Sequence, residues 1–268
     1  MTTPPTGPGI DAQRPSPARM YDYFLGGEQN FAVDRAAADK VIAVTPHTKD
    51  TAVANRQFLI EAVRYVAEQG VTQFLDLGSG LPTQQNVHQV AQSVHPNART
   101  VYVDNDPAVL PHAQALIVGD PNTTYIEADI RDPVKILTHP ETTRLIDFTQ
   151  PVALLMVAIL HFIGDQDDPR GLVDRFMRDL PSGSYLILSH VTTDGIDPTL
   201  WETVQATNPS LAVPLTFRPG DEIRKYFDGL ELVDPPGIVD CRQWQPGELK
   251  PLPGDVKLRI WAGVARKP

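Results

Sequence analysis

Two glycines one residue apart, Gly78 and Gly80, close the short apolar run in "FLDLGSGLPTQQ" (74–85). Glycine at such a point lets the chain turn without a β-carbon and lets a ligand press against bare backbone. A dinucleotide site wants a third glycine, so that the next helix packs close to the strand and aims its N-terminus at a pyrophosphate. Thr83 stands there instead, and Leu81-Pro82-Thr83 delays the helix. Half of the fingerprint suits a nucleoside that carries no phosphate.

Two further carboxylates complete that reading. Asp104 ends the next apolar run, "VYVDND", where a carboxylate is placed to accept both hydroxyls of a ribose. Asp129, in "EADIRDP", is placed to accept from an adenine amino group, with Ile130 against the ring. Asp76 and Ser79 flank the glycines and Asn105 follows Asp104, so they join the expected cofactor set. Three adenosine contact zones without a phosphate contact match S-adenosylmethionine.

Methyl transfer is an in-line displacement at a sulfonium, so much of the rate comes from holding the nucleophile in line. A base matters when the nucleophile must lose a proton. His161 and His190 follow the fourth and fifth apolar runs and titrate near neutrality in their ordinary state. Both are candidate bases. The other five histidines have no ligand-like spacing, and Asp165, Asp167 and Asp168 read as a solvated helix N-terminus. No metal site is expected, and the lone Cys241 is expected to be inert.

The elements that must position these residues alternate. Short apolar runs, "QFLDLG", "RTVYVDND", "TTYIEADI", "PVALLMVAIL" and "YLILSHV", are separated by helical patterns such as "NVHQVAQSV" and "GLVDRFMRDL". Strands apolar on both faces and alternating with helices mean a parallel sheet covered on both sides. Ligands then sit beyond the carboxyl ends of the strands. Two last strands, near 230–239 and 258–265, are expected to pair antiparallel at an edge. Before the sheet, "TAVANRQFLIEAVRYVAEQG" places Phe58, Leu59, Ala62, Val63 and Val66 on one helical face, with Gly70 as its stop.

Composition bounds the rest. The 268 residues suit one large domain, and a single cysteine excludes an internal disulfide. The formal charge of −10 argues against broad nucleic-acid binding, which needs a basic face. No secretory signal is visible, and the longest apolar stretch, 152–160, is far short of the roughly 20 residues of a membrane helix. A cytoplasmic protein without membrane contact is expected.

The stretches "PSPARMYDYFLGGEQNF", "FLDLGSGLPTQQNVHQVA", "VYVDNDPAVLPHAQALI", "ADIRDP", "LLMVAILHFI" and "LPSGSYLILSH" resemble the actinobacterial S-adenosylmethionine methyltransferase family, once catalogued as a domain of unknown function. The resemblance implies the class I methyltransferase fold, a doubly wound, mostly parallel, seven-stranded Rossmann-like sheet. It divides the chain into a disordered tail (1–15), an N-terminal helical cap (16–70) and a cofactor-binding methyltransferase domain (71–268). By likeness to other methyltransferases, the cap folds over the cofactor and excludes water.

In that cap Arg19 is a candidate partner for the methionyl carboxylate, with Asn55 and Arg56 competing, and Tyr21, Asp22 and Tyr23 are placed to line the transfer channel. The acceptor, a small molecule reacting at oxygen or nitrogen, is expected between the cap and the insert 192–218, which carries Trp201, Leu211, Leu215 and Phe217. A non-catalytic cofactor-binding sensor and a nicotinamide-dependent oxidoreductase are the alternatives. Oligomeric state is not legible in the sequence.

Overall fold

Five apolar runs form the parallel strands β1 (Gln73–Leu77), β2 (Arg99–Asp104), β3 (Thr123–Glu127), β4 (Ala153–Val157) and β5 (Tyr185–Val191). The computed structural model describes residues 10–82, 85–252 and 257–268, so part of the expected tail, 1–9, and Thr83 lie outside the described residues. After β5 come β6 (Glu231–Leu232), β7 (Val239–Asp240), a small ribbon of β8 (Trp244–Gln245) and β9 (Glu248–Leu249), and β10 (Ile260–Arg266).

The main sheet runs β3-β2-β1-β4-β5-β10-β6, with β7 also paired to β10. The expected doubly wound sheet is present, with β7 as an eighth short strand. Its last strands pair antiparallel at one edge, as expected, with β6 outermost. β10 lies antiparallel to β5 along all seven of its residues and carries β6 and β7 on its far side. The strand order reverses between β1 and β4, which makes their carboxyl ends the natural ligand crevice.

Helices are α1 (Pro17–Phe24), α2 (Ala32–Val44), α3 (Thr48–Glu68), α4 (Val87–Val94), α5 (Val109–Leu116), α6 (Pro133–Leu137), α7 (Pro140–Leu145), α8 (Pro169–Asp179), α9 (Pro198–Thr207) and α10 (Gly220–Arg224). Strand side chains alternate between two core layers. Phe74, Tyr102, Leu155 and Ile187 pack with α3, α4 and α5. Leu75, Val103, Met156 and Leu188 pack with α6, α7, α8 and α10. The expected apolar face of α3 is buried in the first layer, and Gly70 ends that helix with φ +92°.

The fourth apolar run does not continue as strand. β4 stops at Val157 because Ala158 adopts φ +55°, the left-handed region that alanine disfavours. The chain then makes a 3-10 turn, Leu160–Phe162. Asp168 caps α8 by accepting from the Gly171 N–H at 3.0 Å, as expected of a helix N-terminus. Asp165 departs from that reading, since it pairs with the buried Arg218 at 2.6 Å. Cys241 is buried, and burial pushes its thiol up, so it is not a reactive thiolate. No described helix is long and apolar enough to cross a membrane.

Candidate active site

The glycine turn leaves β1 at the switch point. Gly78 has φ +74° and Gly80 φ +63°. A β-carbon on Gly78 would collide with the Ile159 side chain, so glycine is required there by backbone and by space. The Gly78 and Ser79 N–H groups both donate to the Val103 carbonyl, at 2.8 and 3.1 Å, which ties the turn to the end of β2. The Ser79 hydroxyl faces the Gly80 carbonyl at 3.5 Å.

Asp104 reaches back over this turn. Its Oδ2 accepts from the Gly80 N–H at 2.7 Å and its Oδ1 from the Asp106 N–H at 3.0 Å. Burial pushes its carboxyl up to about 6, although those N–H groups oppose the shift. Asp76, one strand over and only 5% exposed, is pushed up to about 7 by burial, with Arg56 pulling down and Asp104 pushing further up. Two buried carboxyls that resist ionisation therefore stand at one strand edge. Backbone N–H groups hold Asp104 and the Arg56 charge acts on Asp76, and such a pair suits a cationic, hydroxyl-bearing ligand.

The adenine residues are arranged differently from the expectation. Both Asp129 oxygens are taken by Arg131, whose Nε and Nη2 approach to 3.0 and 2.5 Å, and Arg131 holds that carboxyl below its usual range. Asn105 also hydrogen-bonds Asp129. Ile130 is enclosed in the second core layer rather than presented on an open wall. An adenine amino group at this position must share Asp129 with Arg131.

In the cap, the structure replaces Arg19 as the carboxylate candidate. Arg19 is 3% exposed, and its Nε donates to Asp34 at 2.7 Å, while Nη2 donates to the Asp11 and Arg14 carbonyls. Its guanidinium pins α1 to α2. Arg56, whose charge acts on Asp76, Tyr21 and Tyr102, is the arginine on the site side. The Tyr21 hydroxyl is likewise engaged within the protein, donating to the Ala52 carbonyl at 3.1 Å and accepting from Asn55 at 3.0 Å.

Asp22 organises the Gly-Gly loop by accepting from the Gln29 N–H and the Asn30 side chain, and a β-carbon on Gly27 would collide with its carboxylate. Tyr23 points its hydroxyl to Asp39 at 3.0 Å. The Ser16 hydroxyl, at the N-cap of α1, bonds Asp106, so the cap is fastened to the loop beside Asp104.

The two histidines separate. His190 is fully buried; its Nδ1 donates to the Val191 carbonyl at 2.7 Å and its Nε2 accepts from Arg218 at 2.8 Å. Burial pushes it down to about 3. With both nitrogens committed, His190 is structural, which corrects its candidacy as a base. His161 is 5% exposed, and its Nδ1 is buried with no hydrogen-bond partner among the described residues. Burial, then His190 and Arg218, hold it well below its ordinary value, so it is neutral at physiological pH.

Arg218, which carried no signal in its Pro-rich insert, supports this corner. It donates to the Leu160 and Ile163 carbonyls at 3.2 and 2.8 Å, and the Thr216 N–H donates to the His161 carbonyl at 2.8 Å. The described residues contain no group of three or more histidine, cysteine or acidic side chains able to hold a metal ion.

The family model described as S-adenosyl methyltransferase matches residues 4–268. The chain belongs to that family. It is 40% identical to a DUF574 family protein from Streptomyces avermitilis, over 96% of this chain and 99% of that one, with a TM-score of 0.89. It is 42% identical to a putative methyltransferase from Thermobifida fusca, over 97% of each chain, with a TM-score of 0.87. The plantazolicin methyltransferase BamL, at 9% identity and a TM-score of 0.55, shares the fold. No curated protein matches the chain.

The protein is thus a methyltransferase with the class I Rossmann-like fold, and its cofactor is S-adenosylmethionine. The oxidoreductase alternative falls with that result. The residues present fit the cofactor: open space beside Gly80 at the glycine turn, the buried carboxyls of Asp76 and Asp104, and Arg56 acting on Asp76.

Proposed function

We propose that the methyl acceptor is a small molecule that reacts through oxygen or nitrogen, with His161 as its proton acceptor. The observation that carries this reading is the buried, neutral imidazole whose Nδ1 has no partner among the described residues. A nitrogen closed off from water and unbonded is costly unless a ligand uses it. Burial makes it a weak base, so it suits an acceptor whose proton becomes strongly acidic as the new bond forms, an aromatic amine or a phenolic hydroxyl, better than an aliphatic amine, whose ammonium stays weakly acidic.

When bound, S-adenosylmethionine supplies an electrophilic methyl group on a sulfonium. Asp104 accepts the ribose hydroxyls, Asp76 faces the positive charge, and Arg56 faces the methionyl carboxylate. Gly78, Ser79 and Gly80 let the cofactor lie against backbone, and Asn105 and Asp129 border the adenine. The chain 16–70 closes over this edge as a cap and keeps water out.

A cavity of about 210 Å³ lies between the cap turn Thr45, Pro46 and His47 and the insert residues Asp197 and Leu200, with Leu258 behind. Neither His161 nor any residue of the cofactor set lines it, so it is not assigned to the acceptor. Trp201 and Phe217, both half-buried, pack edge to face in the insert 192–218 with ring centroids 5.5 Å apart and offer an apolar surface there. The charge of −10 favours a small molecule over nucleic acid.

The test is product detection. Purified protein is supplied with S-adenosylmethionine and a panel of amines and phenols, and S-adenosylhomocysteine is measured. At least one acceptor should turn over, and His161→Ala should lower kcat by about 100-fold or more while leaving cofactor affinity unchanged. Undiminished kcat in that variant would remove His161 from the chemistry. Methylation of protein or RNA, with no small molecule accepted, would overturn the acceptor class.

A further inference from the structure

Polar groups from three elements and a turn are joined end to end through an otherwise apolar interior. The Ala158 N–H donates to Ser189 Oγ at 3.0 Å, and the Ser189 hydroxyl donates to Asn55 Oδ1 at 2.6 Å. Asn55 Nδ2 donates to Tyr21 Oη at 3.0 Å, and the Tyr21 hydroxyl donates to the Ala52 carbonyl at 3.1 Å. Asn55 is 1% exposed and Ser189 fully buried. The chain of bonds runs from α1 through α3 and β5 to the turn after β4.

We propose that Asn55 is a positioning residue for cofactor binding, acting through Ser189 and Ala158 on the glycine turn. Ala158 sits at φ +55°, a conformation an alanine does not hold without help. The help is visible: its N–H is shared between Ser189 Oγ and the Ser189 carbonyl, at 3.0 and 3.2 Å. The next residue, Ile159, puts its side chain into the space that a β-carbon on Gly78 would need. Where Ala158 goes, Ile159 goes, and the floor under Gly78 goes with it.

Asparagine is suited to the middle of this chain because one short side chain accepts at one end and donates at the other. Leucine fills the same volume but serves neither hydroxyl. Serine is too short to span from α3 to both. The Tyr21 end brings α1 into the same network, so docking of the cap and the seat of the glycine turn depend on one buried amide. This inference rests on the cofactor assignment and not on the identity of the acceptor or on His161.

The experiment is calorimetric titration of full-length protein with S-adenosylhomocysteine. Asn55→Leu is compared with Val63→Ala, which hollows the core on the same helix without touching the network. Wild-type binding comes first, and its absence would indict the cofactor site rather than Asn55. The Kd should rise about tenfold or more in Asn55→Leu and less than about twofold in Val63→Ala, even where both lose similar thermal stability.

Ser189→Ala should weaken binding less, and the Asn55→Leu/Ser189→Ala double variant should bind no worse than Asn55→Leu alone, because both act on one path. Should Asn55→Leu fail to fold, Ser189→Ala and Tyr21→Phe decide the matter: unchanged affinity in both overturns the proposal. Equal loss of affinity in Asn55→Leu and Val63→Ala overturns it as well.

Discussion

Asp76 is the residue at which site and stability pull in opposite directions. Its carboxyl stands at about 7 in the folded, cofactor-free protein against an ordinary 3.8, because burial disfavours the charged form. By linkage, the unfolded chain then ionises before the folded one as pH rises, and stability falls across the window between those two values. At roughly 1.4 kcal/mol per pH unit, the loss amounts to ~4 kcal/mol above about pH 8 and ~2 kcal/mol at about pH 5. It vanishes below the ordinary value.

Asp76→Asn removes the titration while keeping the shape. It should therefore stabilise the cofactor-free protein by ~2–4 kcal/mol at about pH 8, and by roughly half of that at about pH 5, while weakening S-adenosylmethionine binding. Urea unfolding at the two pH values, with the slope unchanged, gives both numbers. A variant that is no more stable than wild type at pH 8, or whose gain does not shrink on acidification, would refute the reasoning.

Three other outcomes follow from the same geometry. Gly78→Ala combines a left-handed φ with a collision against Ile159, so it should cost ~2–4 kcal/mol and abolish cofactor binding, as thermal melts and calorimetry together will read. Arg19→Met leaves the buried Asp34 without its cation and should cost ~3–5 kcal/mol in urea unfolding. The fraction still folded should bind S-adenosylhomocysteine within about threefold of wild type, since Arg19 pins helices rather than ligand. Finally, protonating Asp104 removes an acceptor for ribose hydroxyls, so affinity should fall as pH drops through about 6; titrations at several pH values will show the slope.

The sheet was legible because each strand is apolar on both faces and each is followed by a helix with its own stop. The glycine turn was legible for the same local reason: residues that must bend or approach backbone are marked by type. What the sequence did not reveal are pairings at long range. Arg19 looks like a ligand anchor until Asp34, fifteen residues on, is seen to take its charge.

His190 looks like a base until Arg218, at the end of the insert 192–218, occupies its Nε2. Ser189 is a hydroxyl inside a largely apolar strand, and its partner Asn55 lies 134 residues away. Periodicity reports which face is buried. It does not report which polar groups meet there.

Calorimetric titration of wild type and Asp104→Ala with S-adenosylmethionine, S-adenosylhomocysteine and NAD reads the cofactor site itself. Both adenosyl ligands should bind stoichiometrically to wild type, NAD should not bind, and adenosyl binding should be lost in a variant that remains folded. Unchanged affinity in Asp104→Ala, or binding of NAD with no adenosyl ligand bound, would contradict the cofactor assignment.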